Sequence, residues 1–394
     1  MTKRSGAIVT DSGNSARKRI MFAVTTPFAV NSFLASHLKS LSRCFDITLC
    51  VNLKAYPLSP EIEKFVEVVD VGFERKFAPF RDLLTLVRLY FVIKRRSPQA
   101  IHSITPKAGL LAMLAGFFAR VPYRWHTFTG QVWATKQSFA RCLLKAIDRL
   151  IVSLATRVFA DSASQCRFLR EEGIVSDDGI FILGPGSIAG VDTGRFRPDA
   201  AVRQMIRQEL GVEEETCVFL FVGRLVRDKG VFDLFSAFDS VAERAPGVGL
   251  WMVGPDEEGL IPDLKKKGLA FSASTRWIGA TLTPETYMMA ADVLVLPSYR
   301  EGFGSVIIEA GSCGLPVVAY RIDGVIDAVE VGMSGVLVDL GRVDSLAEQL
   351  FILAGDQQKR HSIGCNARER VAKLFSVEAI SDAWLAHYRN SLVN

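Results

Sequence analysis

Tyr299-Arg-Glu-Gly-Phe-Gly-Ser-Val-Ile-Ile-Glu-Ala-Gly-Ser-Cys-Gly314 follows one short apolar strand and opens one helix. Asp292-Val-Leu-Val-Leu-Pro-Ser298 precedes it, an apolar run stopped by Pro and Ser, and a helical period through Val306, Ile307, Ala310 and Cys313 follows. Strand, glycine turn and helix in that order form the repeating unit of a doubly wound parallel sheet. Gly302 and Gly304 let the main chain approach a ligand closely, and the amides of Phe303, Gly304 and Ser305 fall where the helix begins, at its partially positive end. The turn is expected to take an anion.

Two carboxylates flank that position. Glu301 sits in the turn and Glu309 lies about one and a half turns into the helix, so both face one crevice at different depths. A carboxylate beside an anion repels it unless it serves another group. Sugar hydroxyls are suited, because an ionised Glu accepts from two neighbouring hydroxyls at once. The competing reading is a helix-start Glu favoured by the dipole plus one ordinary surface Glu.

Working outward, the same alternation recurs on both sides. Lys18-Arg-Ile-Met-Phe-Ala-Val24 reads as a buried parallel strand, with a helix over about 31–45 and strands at 46–52 and 66–73. A helix at 79–96, a strand at 100–104, the turn Thr105-Pro-Lys-Ala-Gly-Leu-Leu, a strand 123–130, a helix 139–155 and strands at 158–161 and 181–183 complete a first series. The second series has strands at 217–222, 249–253, 276–278, 293–296, 317–319 and 335–338, with helices between them and a helical tail. Gly184-Pro-Gly-Ser-Ile-Ala-Gly190 has the wrong spacing for a dinucleotide fingerprint and opens no helix, which argues against an oxidoreductase. The fold class expected is α/β, two doubly wound Rossmann-like domains facing a central cleft. The domain boundaries expected are a flexible tail at 1–18, a first domain at 19–190, a second at 191–376, and a C-terminal helix at 377–394 returning to the first.

The 394 residues, 49% apolar and 23% charged, suffice for two cores. The 7 cysteines are scattered and without a Cys-x-x-Cys pair, which points to small buried hydrophobes in a reducing cytosol rather than to disulfides or zinc. The first residues are polar and basic with no apolar run of signal-peptide length. The longest uncharged apolar run, 108–119, is too short to span a bilayer. Charge is split: residues 1–190 hold 26 Lys and Arg against 14 Asp and Glu, whereas 191–394 hold 21 against 28. From 75 to 157 there are 15 basic residues and only Asp82 and Asp148, interleaved with Phe77, Phe80, Leu89, Tyr90, Phe91, Phe117, Phe118 and Trp133. That mixture suits an anionic membrane surface, solvated helix faces being the alternative. No nucleic-acid module is legible, and nucleic acid is not an expected partner.

Gly223-Arg-Leu-Val-Arg-Asp-Lys-Gly230 places Arg224 and Lys229 in one strand-to-helix loop, where two cations clamp a diphosphate, Arg by fork geometry and Lys as a point charge. The spacing is not that of a P-loop. Together with Pro-Ser-Tyr-Arg-Glu-Gly-Phe-Gly-Ser-Val-Ile-Ile-Glu-Ala about seventy residues on, this loop resembles the retaining nucleotide-sugar glycosyltransferases of the two-domain GT-B fold, family 4. The resemblance extends over about 18–390.

That resemblance implies roles residue by residue. Arg224 and Lys229 match the pair holding the donor diphosphate, Glu301 the first Glu of an E-x7-E motif contacting donor sugar hydroxyls, and Glu309 the second, contacting the ribose. Gly302, Phe303, Gly304 and Ser305 line the phosphates with main chain. Gly254, Trp277 and Ile278 match the nucleoside side of the donor site, Trp277-Ile-Gly279 forming part of the base pocket. His126, in Trp-His-Thr-Phe-Thr-Gly, matches the first-domain histidine near the scissile bond, so His126, Glu301, Arg224 and Lys229 are the implied catalytic set. The implied account of retention is front-side attack, with the leaving phosphate helping to deprotonate the acceptor. No cofactor is implied and, without an Asp-x-Asp motif, no metal.

Thr25-Thr-Pro-Phe28 stands where many relatives carry two glycines, which affects acceptor contacts. The segments around Lys107 and 126–133 are similar to the subgroup extending undecaprenyl-diphosphate-linked sugars in glycan, capsule or O-antigen assembly, with Thr26, Lys107 and Thr129 as acceptor-side residues. The reading is transfer of a hexose or N-acetylhexosamine from a nucleotide diphosphate sugar, UDP-linked by expectation, to a lipid-linked acceptor on the cytoplasmic, inner face of the cell membrane. A nucleotide-sugar epimerase on the same fold and an idle membrane-surface scaffold are the alternatives.

Overall fold

A computed structural model describes residues 17–54, 56–74, 78–266 and 274–393. The expected flexible tail, all but its last two residues, lies outside these, as does Phe77 of the basic stretch. The first sheet comprises β1 (Arg19–Ala23), β2 (Asp46–Val51), β3 (Glu67–Asp70), β4 (Ala100–Ser103), β5 (Tyr123–Phe128), β6 (Arg157–Ala160) and β7 (Ile180–Ile182). The second comprises β8 (Cys217–Val222), β9 (Val248–Val253), β10 (Thr275–Gly279), β11 (Val293–Leu296), β12 (Val317–Tyr320) and β13 (Gly335–Val338). Their orders are β3-β2-β1-β4-β5-β6-β7 and β10-β9-β8-β11-β12-β13, and the paired strands of both sheets run parallel. Helices cover both faces of each sheet, which is why runs such as Cys-Val-Phe-Leu-Phe in β8 are apolar without alternation.

The order reverses between β1 and β4 and again between β8 and β11. At such switch points the loops leaving neighbouring strands diverge to opposite faces and open a crevice at the carboxyl ends. The helix expected over 31–45 is instead two, Pro27–Phe33 and Ala35–Leu41. Pro27, pre-set for a first helical position, starts the segment early, and Leu34, at φ −119°, breaks it.

The chain crosses between the two sheets twice, side by side. Val191 pairs with Ser376 in a parallel bridge, donating to the Phe375 carbonyl at 2.7 Å and accepting from Val377 at 2.9 Å. Gly190, at φ +66°, lies where a Cβ would stand 2.9 Å from Val377 Cα, so only glycine lets the two crossings touch.

After the second crossing, helix Val377–Leu392 lays Ile380, Trp384, Tyr388 and Leu392 into the first sheet's core beside Ile20, Phe22 and Trp125. Trp384 is stacked between the rings of His37 and His102, 5.1 Å from each. His37 Nε2 meets the Ile188 carbonyl at 2.6 Å, so Nε2 carries the proton and Nδ1 accepts from Ser381 Oγ at 2.9 Å. His102 bonds Thr127 Oγ1 and the Tyr388 hydroxyl. Burial pulls His37 down to about 4 and His102 well below its usual range, while burial and Arg157 pull His387 to about 4.

A histidine whose folded pKa is depressed favours the folded state above its unfolded value and opposes it as pH falls from about 6.5 toward 4. The expected outcome is a Tm lower by on the order of 5 °C at pH 4.5 than at pH 7. His387→Phe, which removes one titrating ring, reduces that slope in thermal unfolding followed by circular dichroism.

Candidate functional site

Because β8 and β11 are neighbours, the loops leaving them, 223–230 and 297–304, converge at the second sheet's switch point. Their contact depends on Gly230, at φ +67°, where a Cβ would stand 1.8 Å from the Pro297 carbonyl oxygen. Across this contact Lys229 forms an ion pair with Glu301, both side chains less than one-fifth exposed. Tyr299 donates its N–H to the Asp228 carbonyl at 2.8 Å, Arg300 reaches Asp228 Oδ2 at 3.4 Å, and the Tyr299 and Tyr320 hydroxyls both donate to Asp233 Oδ2 at 2.7 Å. The turn carrying Glu301 is thereby tied to the loop carrying Lys229.

Helix Ser305–Ser312 starts from Gly304, a left-handed cap at φ +71° with no side-chain hydrogen bond and no acidic residue in the first turn. Its first amides face the crevice uncapped, as an anion site requires. Glu309, one turn in, is half-buried, and burial pushes its carboxyl up to about 7, with Glu285 adding and Arg195 opposing. Its carboxyl is thus held well above the ordinary glutamate range, where it takes up a proton more readily than an exposed Glu does.

Arg224 is turned toward Glu257 at 2.8 Å, in a pair more than a third exposed, rather than toward Glu301. Gly254 approaches so closely that a Cβ would stand 1.9 Å from the Gly223 carbonyl oxygen, which brings the loop after β9 onto the loop after β8. Trp277 donates Nε1–H to the Gly254 carbonyl at 3.0 Å and is 45% exposed, while Ile278 packs on the core beside it. Gly254, Trp277 and Ile278 thus stand together on one partly exposed side of the second half.

In the first sheet β5 ends at Phe128, two residues short of the strand expected over 123–130, and His126 lies within it. The His126 ring is fully buried within the strand, bonded through Nδ1 to Ser103 Oγ at 2.8 Å, and stands where a Cβ on Gly109 would lie 2.5 Å from it. Burial lowers it to about 3, and among the described residues no hydrogen bond joins it to Glu301, Lys229 or Arg224. Gly130 and the Thr129 carbonyl instead meet the second half at Gly302, whose Cβ position would be 2.5 Å from that carbonyl oxygen. Thr26 caps helix Pro27–Phe33 beside Thr25, whose hydroxyl bonds Thr105 at 2.5 Å, and Lys107 is paired with Asp82 at 2.8 Å.

Sequence reading missed Asp161, Ser164 and Gln165, all buried at the end of β6 and the start of helix Ala163–Glu171. Gln165 Nε2 donates to the Glu301 carbonyl at 3.2 Å, and Asp161 Oδ2 would lie 2.9 Å from a Cβ on Gly302. Burial raises Asp161 to about 8, so it faces the turn as a neutral acid. The available signal was a polar Asp-Ser-Ala-Ser-Gln run directly after an apolar parallel strand. Among the described residues no group of three His, Cys, Asp or Glu side chains is arranged to hold a metal, and no helix is long and apolar enough to cross a membrane.

Residues 202–370 match the family described as glycosyl transferases group 1, and residues 34–186 match the glycosyl transferase 4-like domain. The chain is 29% identical over 323 residues to the capsular polysaccharide biosynthesis glycosyltransferase CapM of Staphylococcus aureus, covering 82% of this chain and 84% of that one. It is 26% identical over 357 residues to the Escherichia coli UDP-Gal:alpha-D-GlcNAc-diphosphoundecaprenol alpha-1,3-galactosyltransferase, covering 89% and 90%. Among solved structures, Anabaena HepE in complex with UDP and glucose superposes with a TM-score of 0.78 at 21% identity, over 95% of this chain and all of that one. A likeness at that identity concerns the fold.

Gly302→Ala forces a methyl into the Thr129 carbonyl and so separates the two halves. We expect the variant to fold, with an unchanged Tm within a few degrees, to show a larger radius of gyration in small-angle scattering, and to lose at least tenfold in turnover.

Proposed function

The chain is a glycosyltransferase of the glycosyl transferases group 1 family in the two-domain GT-B fold, and we propose that it transfers a hexose or N-acetylhexosamine, with retention, from a UDP-linked donor to an undecaprenyl-diphosphate-linked saccharide in surface polysaccharide assembly. The observation that carries this reading is the Lys229 and Glu301 pair beside the uncapped start of helix Ser305–Ser312, at a switch point. Similarity over most of the chain to a capsule enzyme and to a diphosphoundecaprenol galactosyltransferase supports the acceptor class.

In this reading the diphosphate takes Lys229, Arg224 and the amides of Phe303, Gly304 and Ser305, and the charge growing on the departing nucleotide is stabilised there without a divalent ion. Glu301 takes sugar hydroxyls. Glu309 takes the ribose, and its carboxyl near 7 suits a diol because it accepts from one hydroxyl and donates to the other. The side formed by Trp277, Ile278 and Gly254 takes the base. Contact of the two halves at Gly130 and Gly302 excludes water that otherwise hydrolyses the donor. Front-side attack with the leaving phosphate as base needs no carboxylate nucleophile, and Asp161, held neutral by burial, is unsuited to be one. Thr26 and Thr129 stand on the acceptor side, whereas Lys107 orders that side through Asp82.

We place the enzyme peripherally on the inner face of the cell membrane. Helix Pro79–Arg96 exposes Phe80, Leu83, Leu84, Val87 and Phe91 along one stripe, with Phe80 85% exposed, and its last turn holds Lys94, Arg95 and Arg96. Apolar residues flanked by cations suit an anionic bilayer surface, each cation contributing about 1 kcal/mol.

Acceptor-dependent release of UDP, but not GDP, from a panel of nucleotide sugars with a membrane lipid extract is the expected result. Lys229→Ala and Glu301→Gln each lower it by about 10²-fold or more. Epimerised donor without nucleotide release would point to the epimerase alternative. For the membrane, co-sedimentation with phosphatidylglycerol vesicles is expected to weaken with salt and in a Phe80→Ser, Leu84→Ser double variant. Equal binding to phosphatidylcholine, or none, sinks this part of the reading.

A further inference from the structure

The turn at Glu301 and Gly302 belongs to the second half, yet much of what surrounds it comes from the first. Gln165, 4% exposed, donates its side-chain amide to the Glu301 carbonyl at 3.2 Å. Its own N–H is held by Ser162 Oγ, the cap of helix Ala163–Glu171, so the side chain leaves from a fixed point. Ser164, next to it and fully buried, donates its N–H to Asp327 Oδ2 at 3.0 Å and its hydroxyl to the same oxygen, and accepts from the Gly324 N–H at 2.6 Å. Asp327 is thus the anion at that helix start, a favourable place for a carboxylate. Gly324 in turn lies against the turn, a Cβ there being 2.5 Å from the Gly302 carbonyl oxygen.

These contacts close a ring from Gln165 to Glu301, across Gly302 and Gly324, and back through Ser164. Glu301 is fixed at two ends, its carbonyl by Gln165 and its carboxylate by Lys229. We propose that Ser164 and Gln165 form a clamp that presents the Glu301 carboxylate to the donor sugar only when the two halves are together, which makes Gln165 a positioning residue for transfer. The mechanism described above does not use either residue. Without the amide, the Glu301 carbonyl loses its hold on the first half, and its carboxylate meets the sugar hydroxyls at a less sharply set angle. The nucleotide part of the donor, held by groups of the second half alone, is indifferent to the clamp.

The inference rests on the reading of Glu301 as a sugar-binding group, and the test separates the two. Gln165→Met keeps the volume and removes the amide; Gln165→Glu keeps the shape and replaces the donor by an acceptor facing a carbonyl. With UDP as the probe, both variants are expected to bind within twofold of the parent by calorimetry. Their kcat falls roughly tenfold, and discrimination between UDP-glucose and UDP-galactose narrows. Ser164→Ala, which opens the ring at its other side, gives the same pattern. Parental kcat and parental sugar discrimination in Gln165→Met overturn the clamp, as does a loss of UDP affinity in step with Tm, which indicates a merely structural role. If Glu301→Gln instead retains full activity and discrimination, the assignment of Glu301 fails, and that failure is seen independently of Gln165.

Discussion

The ion pair between Lys229 and Glu301 depends on two loops that leave adjacent strands and touch only because Gly230 has no side chain. A Cβ there would meet the Pro297 carbonyl at 1.8 Å, a distance no packing adjustment absorbs, so loop 223–230 would have to lift away. Lys229 would then leave Glu301, and the loop after β9, which follows through Gly254 and Gly223, would shift with it. Cation, carboxylate, the side formed by Trp277 and Gly254, and the helix start are one unit because the strand order places β8 between β9 and β11.

The second half was legible in the sequence because its devices are local. A glycine-rich turn after an apolar strand, a Glu before it and one a helix turn beyond, and two cations in a single loop are patterns within a few residues. Helix Pro79–Arg96 was legible for the same reason, having Pro at its first position and three cations in its last turn. The first half's share of the site was not. Gln165 meets Glu301 across 136 positions and Ser164 meets Asp327 across 163, and no local rule marks a Gln or Ser whose partner lies that far away. His126 lies inside β5 with Nδ1 on Ser103, and it is Thr129, one residue past the strand, whose carbonyl meets Gly302.

The histidines show the same division of labour. Of the chain's 5, His37, His102 and His126 are fully buried, and His37 and His102 bracket Trp384 of the returning helix. Their neutral rings offer one donor and one acceptor each, which lets a polar group join a helix to a sheet core without a charge. The returning helix and the paired crossings at Val191 and Ser376 tie the two halves together, and Phe303, next to Gly302, packs against Phe375 at that crossing with ring centroids 5.3 Å apart.

Charge explains how an anion site tolerates three carboxyl groups. Glu301 is neutralised by Lys229, while Glu309 and Asp161 are lifted by burial to about 7 and about 8. An arriving diphosphate therefore meets an uncapped helix start and a lysine rather than three negative charges. In the proposed reading, a diphosphate that draws Lys229 toward itself would free the Glu301 carboxylate for hydroxyls. The main chain of Glu301, still held by Gln165, would keep the freed carboxylate in place, so that in this reading phosphate binding and sugar contact are coupled through one turn.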